Sequence, residues 1–256
     1  LIIFDLDDTL IDTSGCITPV KLEMALDRMI EAGLPIGDPA AALELLRRLD
    51  AAADSARSTL SEFLEILGAD EQGARAQSRP FDKSDAKQSR LNLEASSSFK
   101  EGDFQKFYHI GVAEVYGDLP DDIPVFPLDQ AVEILTELKE SHQLALVSIG
   151  KTEQQLSKMK KAGIDSTIFS KIIISESRDK KPHYQTIVEA LGATPQETVV
   201  LGDRISLDLT PAKELGCKTI QMRWGRGLNP IPAPSKSDAD FAITELKQIR
   251  EILSLL

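Results

Sequence analysis

Asp5, Asp7 and Asp8 lie close together at the end of the apolar run Leu1-Ile2-Ile3-Phe4, with Thr9 directly after them. Carboxylates at this spacing are suited to nucleophilic attack, proton transfer and metal binding. Gathering them is costly, because each like-charged pair near 4 Å repels by about 4 kcal/mol at an effective dielectric of 20. A cation has to offset that repulsion.

Three further stretches carry reactive residue types at comparable places. Leu144-Ala145-Leu146-Val147 runs into Ser148-Ile149-Gly150, and Val199-Val200-Leu201 runs into Gly202-Asp203-Arg204-Ile205-Ser206-Leu207-Asp208. Lys181-Pro182 heads a helical pattern that reaches Leu191 and closes at Gly192. The elements that must position these residues are legible around them. Apolar, β-branched runs at Leu1 to Phe4, Leu144 to Val147, Ile172 to Ile174, Val199 to Leu201 and Thr219 to Met222 predict strands. They alternate with segments of helical period at Gln130 to Glu140, Glu153 to Ala162, Tyr184 to Leu191 and Leu209 to Leu215. Such alternation predicts an α/β protein, a doubly wound parallel sheet with helices on both faces. Ligands of such sheets bind outside the carboxyl ends of the strands. Asp5, Ser148 and Asp203 each follow an apolar run, so the rule brings all of them to one rim.

Taken in order, the four stretches resemble the four motifs of the haloacid dehalogenase-like superfamily of phosphotransferases. The resemblance covers Leu1 to Leu10 and about Val125 to Leu246. It implies a Rossmann-like catalytic core in which Asp5 is the nucleophile forming an aspartyl-phosphate, and Asp7 is the acid and base serving the leaving group and the water. It further implies that Ser148, Gly150 and Lys181 hold the substrate phosphate, Lys181 being chosen over Lys180 because it abuts Pro182. The implied metal ligands are the Asp5 carboxylate, the Asp7 backbone carbonyl and Asp203, with Asp208 nearby. Four carboxylates and a phosphate dianion far outweigh one lysine, so a divalent cation is required, and hard oxygen ligands favour Mg²⁺. Ile149 stands where the family often has Asn, which removes a polar contact to substrate. Asp8 and Thr9 read as capping and loop hydrogen-bonding residues, and Arg204, Arg223 and Arg226 as surface.

From Thr18 to Asp118 the sequence offers no convincing strand. Thr18-Pro19 opens a helix ending near Gly33, Asp38-Pro39 opens another through Leu49, Ser58 to Leu67 makes a third, and Asp103 to Tyr116 a fourth. This resembles the helical cap that many such phosphatases insert after the first strand. The expected division is a core of residues 1–14 and 122–256 and a cap of 15–121, hinged near Ser14-Gly15 and Leu119 to Pro124. Ser78 to Lys100 is polar and reads as a solvated loop, with Arg75, Arg79, Lys83, Lys87 and Arg90 as alternative anion contacts.

Composition bounds the remaining choices. The 256 residues are 42% hydrophobic and 27% charged, ordinary for a globular protein. A net charge of -12 argues against nucleic acid, whose phosphates demand a basic face. No apolar stretch approaches the roughly 18 residues of a membrane span. Cys16 and Cys217 have no metal-ligand spacing to each other or to a His, and no disulfide framework exists, so the expected compartment is the cytoplasm. The expected activity is Mg²⁺-dependent hydrolysis of a small phosphomonoester. A phosphomutase acting on a sugar phosphate and a non-catalytic phospho-ligand-binding module are the alternatives. A dehalogenase would lack the acid at Asp7, because a halide leaves without a proton.

Overall fold

The computed structural model describes residues 1–53, 55–68, 101–228 and 239–256. The stretch Ser78 to Lys100 with its neighbouring Arg75, and the side chain of Arg226, lie outside the described residues. The chain divides into two compact units, Leu1–Ile17 with Pro120–Leu256, and Thr18–Leu119.

The first unit is built on a six-stranded sheet. Its strands are β1 (Ile2–Phe4), β2 (Leu144–Ile149), β3 (Lys171–Ser175), β4 (Val199–Gly202), β5 (Lys218–Met222) and β6 (Phe241–Ile243), in the spatial order β3-β2-β1-β4-β5-β6. Every pairing is parallel. β1, β2 and β4 are buried on both faces, which explains their unbroken apolar character. β6 was not foreseen: it is three residues long and only partly buried, too short for a periodic signal. The strand order reverses at β1, which has β2 on one side and β4 on the other. A crevice opens at such a reversal.

Register decides what lines that crevice. Phe4 pairs with Leu146 of β2 and Leu201 of β4, so Asp5 stands level with Val147 and Gly202. Ser148 and Asp203 are then one step further along their own strands. On one face of the sheet Ile3, Val147 and Val200 pack with Tyr184, Ile187, Leu209 and Cys217. Each large side chain so buried contributes about 1.5–3 kcal/mol, and the strand ends are held by this core.

The second unit is helical among its described residues: α1 (Thr18–Glu31), α2 (Pro39–Ala52), α3 (Ala56–Gly68) and α4 (Glu101–Val115). Asp38 caps α2 by accepting from the amides of Ala40 and Ala41, ahead of Pro39. Leu26, Met29, Leu46, Leu60, Phe63 and Phe107 form its core. Lys21 is buried, and its ammonium donates to Glu114 Oε1 and to the Asp118 carbonyl, which ties α1 to the end of α4. In the first unit the sheet is flanked by α5 (Ala131–Lys139), α6 (Thr152–Lys161), α7 (Lys181–Ala190), α8 (Thr210–Leu215) and α9 (Ile249–Leu253). Among the described residues no helix is long and apolar enough to cross a membrane.

Candidate active site

Asp5, Asp203 and Asp208 come together at the carboxyl ends of β1 and β4, all three buried, with one oxygen of each within 4.8 Å of the others. Asp208 follows β4 on a helical turn, and its Oδ2 accepts the backbone N–H of Arg204, which fixes the carboxylate over the strand end. Gly202 makes that approach possible, since a Cβ there would lie 2.5 Å from the Cβ of Asp208. The Gly-Asp pair is thus a packing requirement as well as a sequence pattern.

Among the described residues one side-chain cation is hydrogen-bonded into this cluster. The Lys180 ammonium, 1% exposed, donates to Asp5 Oδ1 at 2.5 Å, to Asp208 Oδ1 at 2.6 Å and to the Val147 carbonyl at 3.0 Å. Its three hydrogens are therefore all used. Lys181, expected at this place, instead points outward and pairs with Glu214 at 2.8 Å. The sequence reading is corrected here by one residue. Helical geometry gives the reason: Lys180 is the N-cap of α7, four positions before the buried Tyr184 and so in line with its apolar face, whereas Lys181 lies about 100° around from it.

Fully ionised, three carboxylates against one ammonium carry an excess of two negative charges in a buried site. Burial, opposed by Lys180 and assisted by Asp208 and Asp7, pushes Asp5 up to about 7. Burial together with Asp208, Asp5 and Asp8 carries Asp203 well above the ordinary carboxylate range. Lys180 bonds Asp5 and Asp208 but not Asp203. A hard divalent cation fits this donor set in ligand type and in charge, so Asp5, Asp203 and Asp208 are the residues able to hold one.

Asp7 stands apart from this cluster in its bonding. Its Oδ1 accepts from Thr13 Oγ1 at 2.5 Å and from Lys158 Nζ at 2.9 Å, and its Oδ2 from Gln155 Nε2 at 2.7 Å. Burial works against the charged form, but Lys158 and these hydrogen bonds outweigh it and hold Asp7 below the usual carboxylate range. In this structure Asp7 is therefore in its base form. Neither Gln155 nor Lys158 was singled out from the sequence. Their signal was available: Gln155 lies four positions before buried Met159, on the apolar face of α6.

Ser148 is buried at the end of β2, with its Oγ accepting from Gln155 Nε2 at 2.7 Å. Gly150 contributes differently from expectation. Its N–H donates to the Ser175 carbonyl of β3 at 2.9 Å and is not free for a phosphate. What Gly150 supplies is its backbone conformation, at φ +151°, and the missing Cβ that leaves room for Gln155. Asp8 does serve the loop, accepting the N–H and hydroxyl of Ser14.

An aspartate at a strand end, a second aspartate two residues on, a buried lysine and a carboxylate cluster meet at one sheet rim, the donor types that phosphoryl transfer calls for. The family model described as haloacid dehalogenase-like hydrolase matches residues 1–216, and the chain belongs to that family. It is similar to the glyceraldehyde 3-phosphate phosphatase of Pyrococcus furiosus, 27% identical over 99% of this chain and 92% of that one. It is also similar to the enzyme of the same name from Methanocaldococcus jannaschii, 26% identical over 100% and 97%. The HAD-hydrolase YfnB from Bacillus subtilis, in a magnesium-bound crystal form, shares the fold with a TM-score of 0.58 at 16% identity over 98% of this chain and 97% of that one. The chain is accordingly a phosphoric monoester hydrolase acting on a small phosphate ester.

Proposed function

We propose that the protein is a Mg²⁺-dependent phosphatase working through an aspartyl-phosphate on Asp5, with glyceraldehyde 3-phosphate as the first substrate to test. The observation that carries the mechanism is the pairing of Asp5 with Lys180 beside Asp203 and Asp208 at one sheet rim. The substrate suggestion rests on the names of the two archaeal relatives.

In this reading Asp5, Asp203 and Asp208 hold the cation, together with the Asp7 backbone carbonyl. Mg²⁺ when bound supplies positive charge that keeps Asp5 ionised and neutralises phosphoryl oxygens. Lys180 orients Asp5 through Oδ1, and Asp5 attacks phosphorus in line as the alkoxide leaves. Ser148 donates its hydroxyl hydrogen to a phosphoryl oxygen. Asp7 gives a proton to the departing alkoxide and then takes one from the water that hydrolyses the acyl phosphate. The hydrogen bonds from Thr13, Gln155 and Lys158 favour the base form used in the second of these tasks; a phosphate dianion, a like charge, raises the pKa of Asp7, which takes up a solvent proton for the first.

The test is phosphate release with Mg²⁺ from glyceraldehyde 3-phosphate, other sugar phosphates, phosphoglycolate and nucleotides, each repeated with a chelator. Release that the chelator abolishes is expected for at least one small ester. No release from any of them would overturn the reading, and a rearranged sugar phosphate in place of free phosphate would point to a mutase.

Metal binding has its own signature in stability. In the metal-free protein Asp5 and Asp203 keep protons that the unfolded chain loses near its ordinary value of about 3.9. The native state then binds more protons than the unfolded one, so stability falls as pH rises from about 4 through about 7. Mg²⁺ removes that penalty. The rise in Tm on adding Mg²⁺ is expected to be several degrees larger at about pH 8 than at about pH 5, measured by thermal denaturation. Equal rises at both would show that these carboxylates are not the ligands.

A further inference from the structure

We propose that Gln155 is a positioning residue for this hydrolysis, one buried side-chain amide that sets both the direction of the Ser148 hydroxyl and the placement of the Asp7 carboxylate. The proposal rests on the phosphatase reading above.

Gln155 is 2% exposed, unusual for a glutamine, and its side chain is directed at three acceptors. Nε2 lies 2.7 Å from Asp7 Oδ2, 2.7 Å from Ser148 Oγ and 3.2 Å from the Ile149 carbonyl. A carboxylate and a carbonyl can only accept, so the amide nitrogen, and not the oxygen, faces them. Its two hydrogens go to the two short contacts, Asp7 Oδ2 and Ser148 Oγ, with the Ile149 carbonyl at 3.2 Å a longer, shared contact, so Ser148 Oγ accepts from Gln155. A hydroxyl that accepts on one side has its own hydrogen directed elsewhere, and here that leaves it to be given to a phosphoryl oxygen.

The local fold is arranged around this contact. Gln155 sits in the first turn of α6, seven residues after Ser148, and its stem lies against Gly150. A Cβ at Gly150 would come within 3.2 Å of Gln155 Cδ and 3.3 Å of its Cγ. An amide serving only to anchor the helix would be satisfied by the Ile149 carbonyl and solvent. This one is shared between the two side chains to which the reaction gives tasks at phosphorus and at the leaving group.

The test is a double-mutant cycle on the purified protein, using whichever ester it hydrolyses fastest. Gln155→Met keeps the length and removes the donor; Gln155→Asn keeps the amide but draws it back by one methylene, so either can be read if the other folds poorly. Each is expected to lower kcat about ten- to hundredfold, the scale of a misplaced reacting group. In a Ser148→Ala background the same substitutions are expected to cost several-fold less than in the wild type, because one of the two groups they position is gone while Asp7 is still displaced. Equal losses in both backgrounds, or a change confined to KM, would overturn the role of Gln155. A wild type that releases no phosphate from any ester would instead overturn the functional reading, so the two failures are distinguishable.

Discussion

Asp5→Asn is expected to lower phosphate release by at least about a hundredfold, the scale seen when a nucleophile is removed, with the fold intact. The amide is nearly isosteric and its oxygen can still accept from Lys180 Nζ, but it cannot form an acyl phosphate. Stability is expected to hold or rise. Asp5 is pushed up to about 7 by burial and by the nearby Asp208 and Asp7, so neutralising it relieves repulsion at every pH above that. The gain in Tm from Mg²⁺ should shrink at the same time, because a ligand has been lost. Steady-state phosphate release and thermal denaturation with and without Mg²⁺ check these points together. A variant retaining more than about one hundredth of the activity would mean that attack on phosphorus comes from another group.

The rim of the sheet was legible because strands buried on both faces are unbroken apolar runs, and the residue after such a run stands at the carboxyl end. That reasoning placed Asp5, Ser148 and Asp203 side by side, as the register of β1 with β2 and β4 does. Residues reached by helices were read less well, since a strand end names one residue while a helix start offers several. Lys180 was weighed against Lys181 and passed over in this way, and Gln155 was missed. Each is a polar residue four positions before a buried one, Tyr184 and Met159, and so lies on an apolar face where only a partnered polar group can stand. Gly150 shows a different gap. Its place in the pattern suggested an N–H for phosphate, but β3 takes that N–H, and which strand pairs beyond β2 depends on a topology that spacing alone does not contain. Asp7 was read by its chemical task, whereas its resting charge is set by Thr13, Gln155 and Lys158, which approach from two other elements.

Lys180→Met is expected to reduce activity by more than about a hundredfold, and Lys181→Met to change it less than about twofold. Lys180 is the sole side-chain cation bonded to Asp5 and Asp208 among the described residues, and it is 1% exposed. Removing one member of a buried ion-paired group typically destabilises by about 3–5 kcal/mol, because the charges left behind are uncompensated. The remaining carboxylates will respond by binding protons, so the loss of stability should be greatest at high pH and recovered in part by Mg²⁺. Asp5 would then be misaligned even where the fold survives, since Oδ1 loses its anchor. The Lys181 ammonium, in contrast, meets Glu214 at a solvent-exposed pair, which contributes about 0–1 kcal/mol. Phosphate release and denaturation midpoints for the two variants, measured side by side with Mg²⁺, separate the assignments. A Lys181→Met protein that is inactive beside an active Lys180→Met protein would reverse them, and with them the view that the buried face of α7 delivers the catalytic cation.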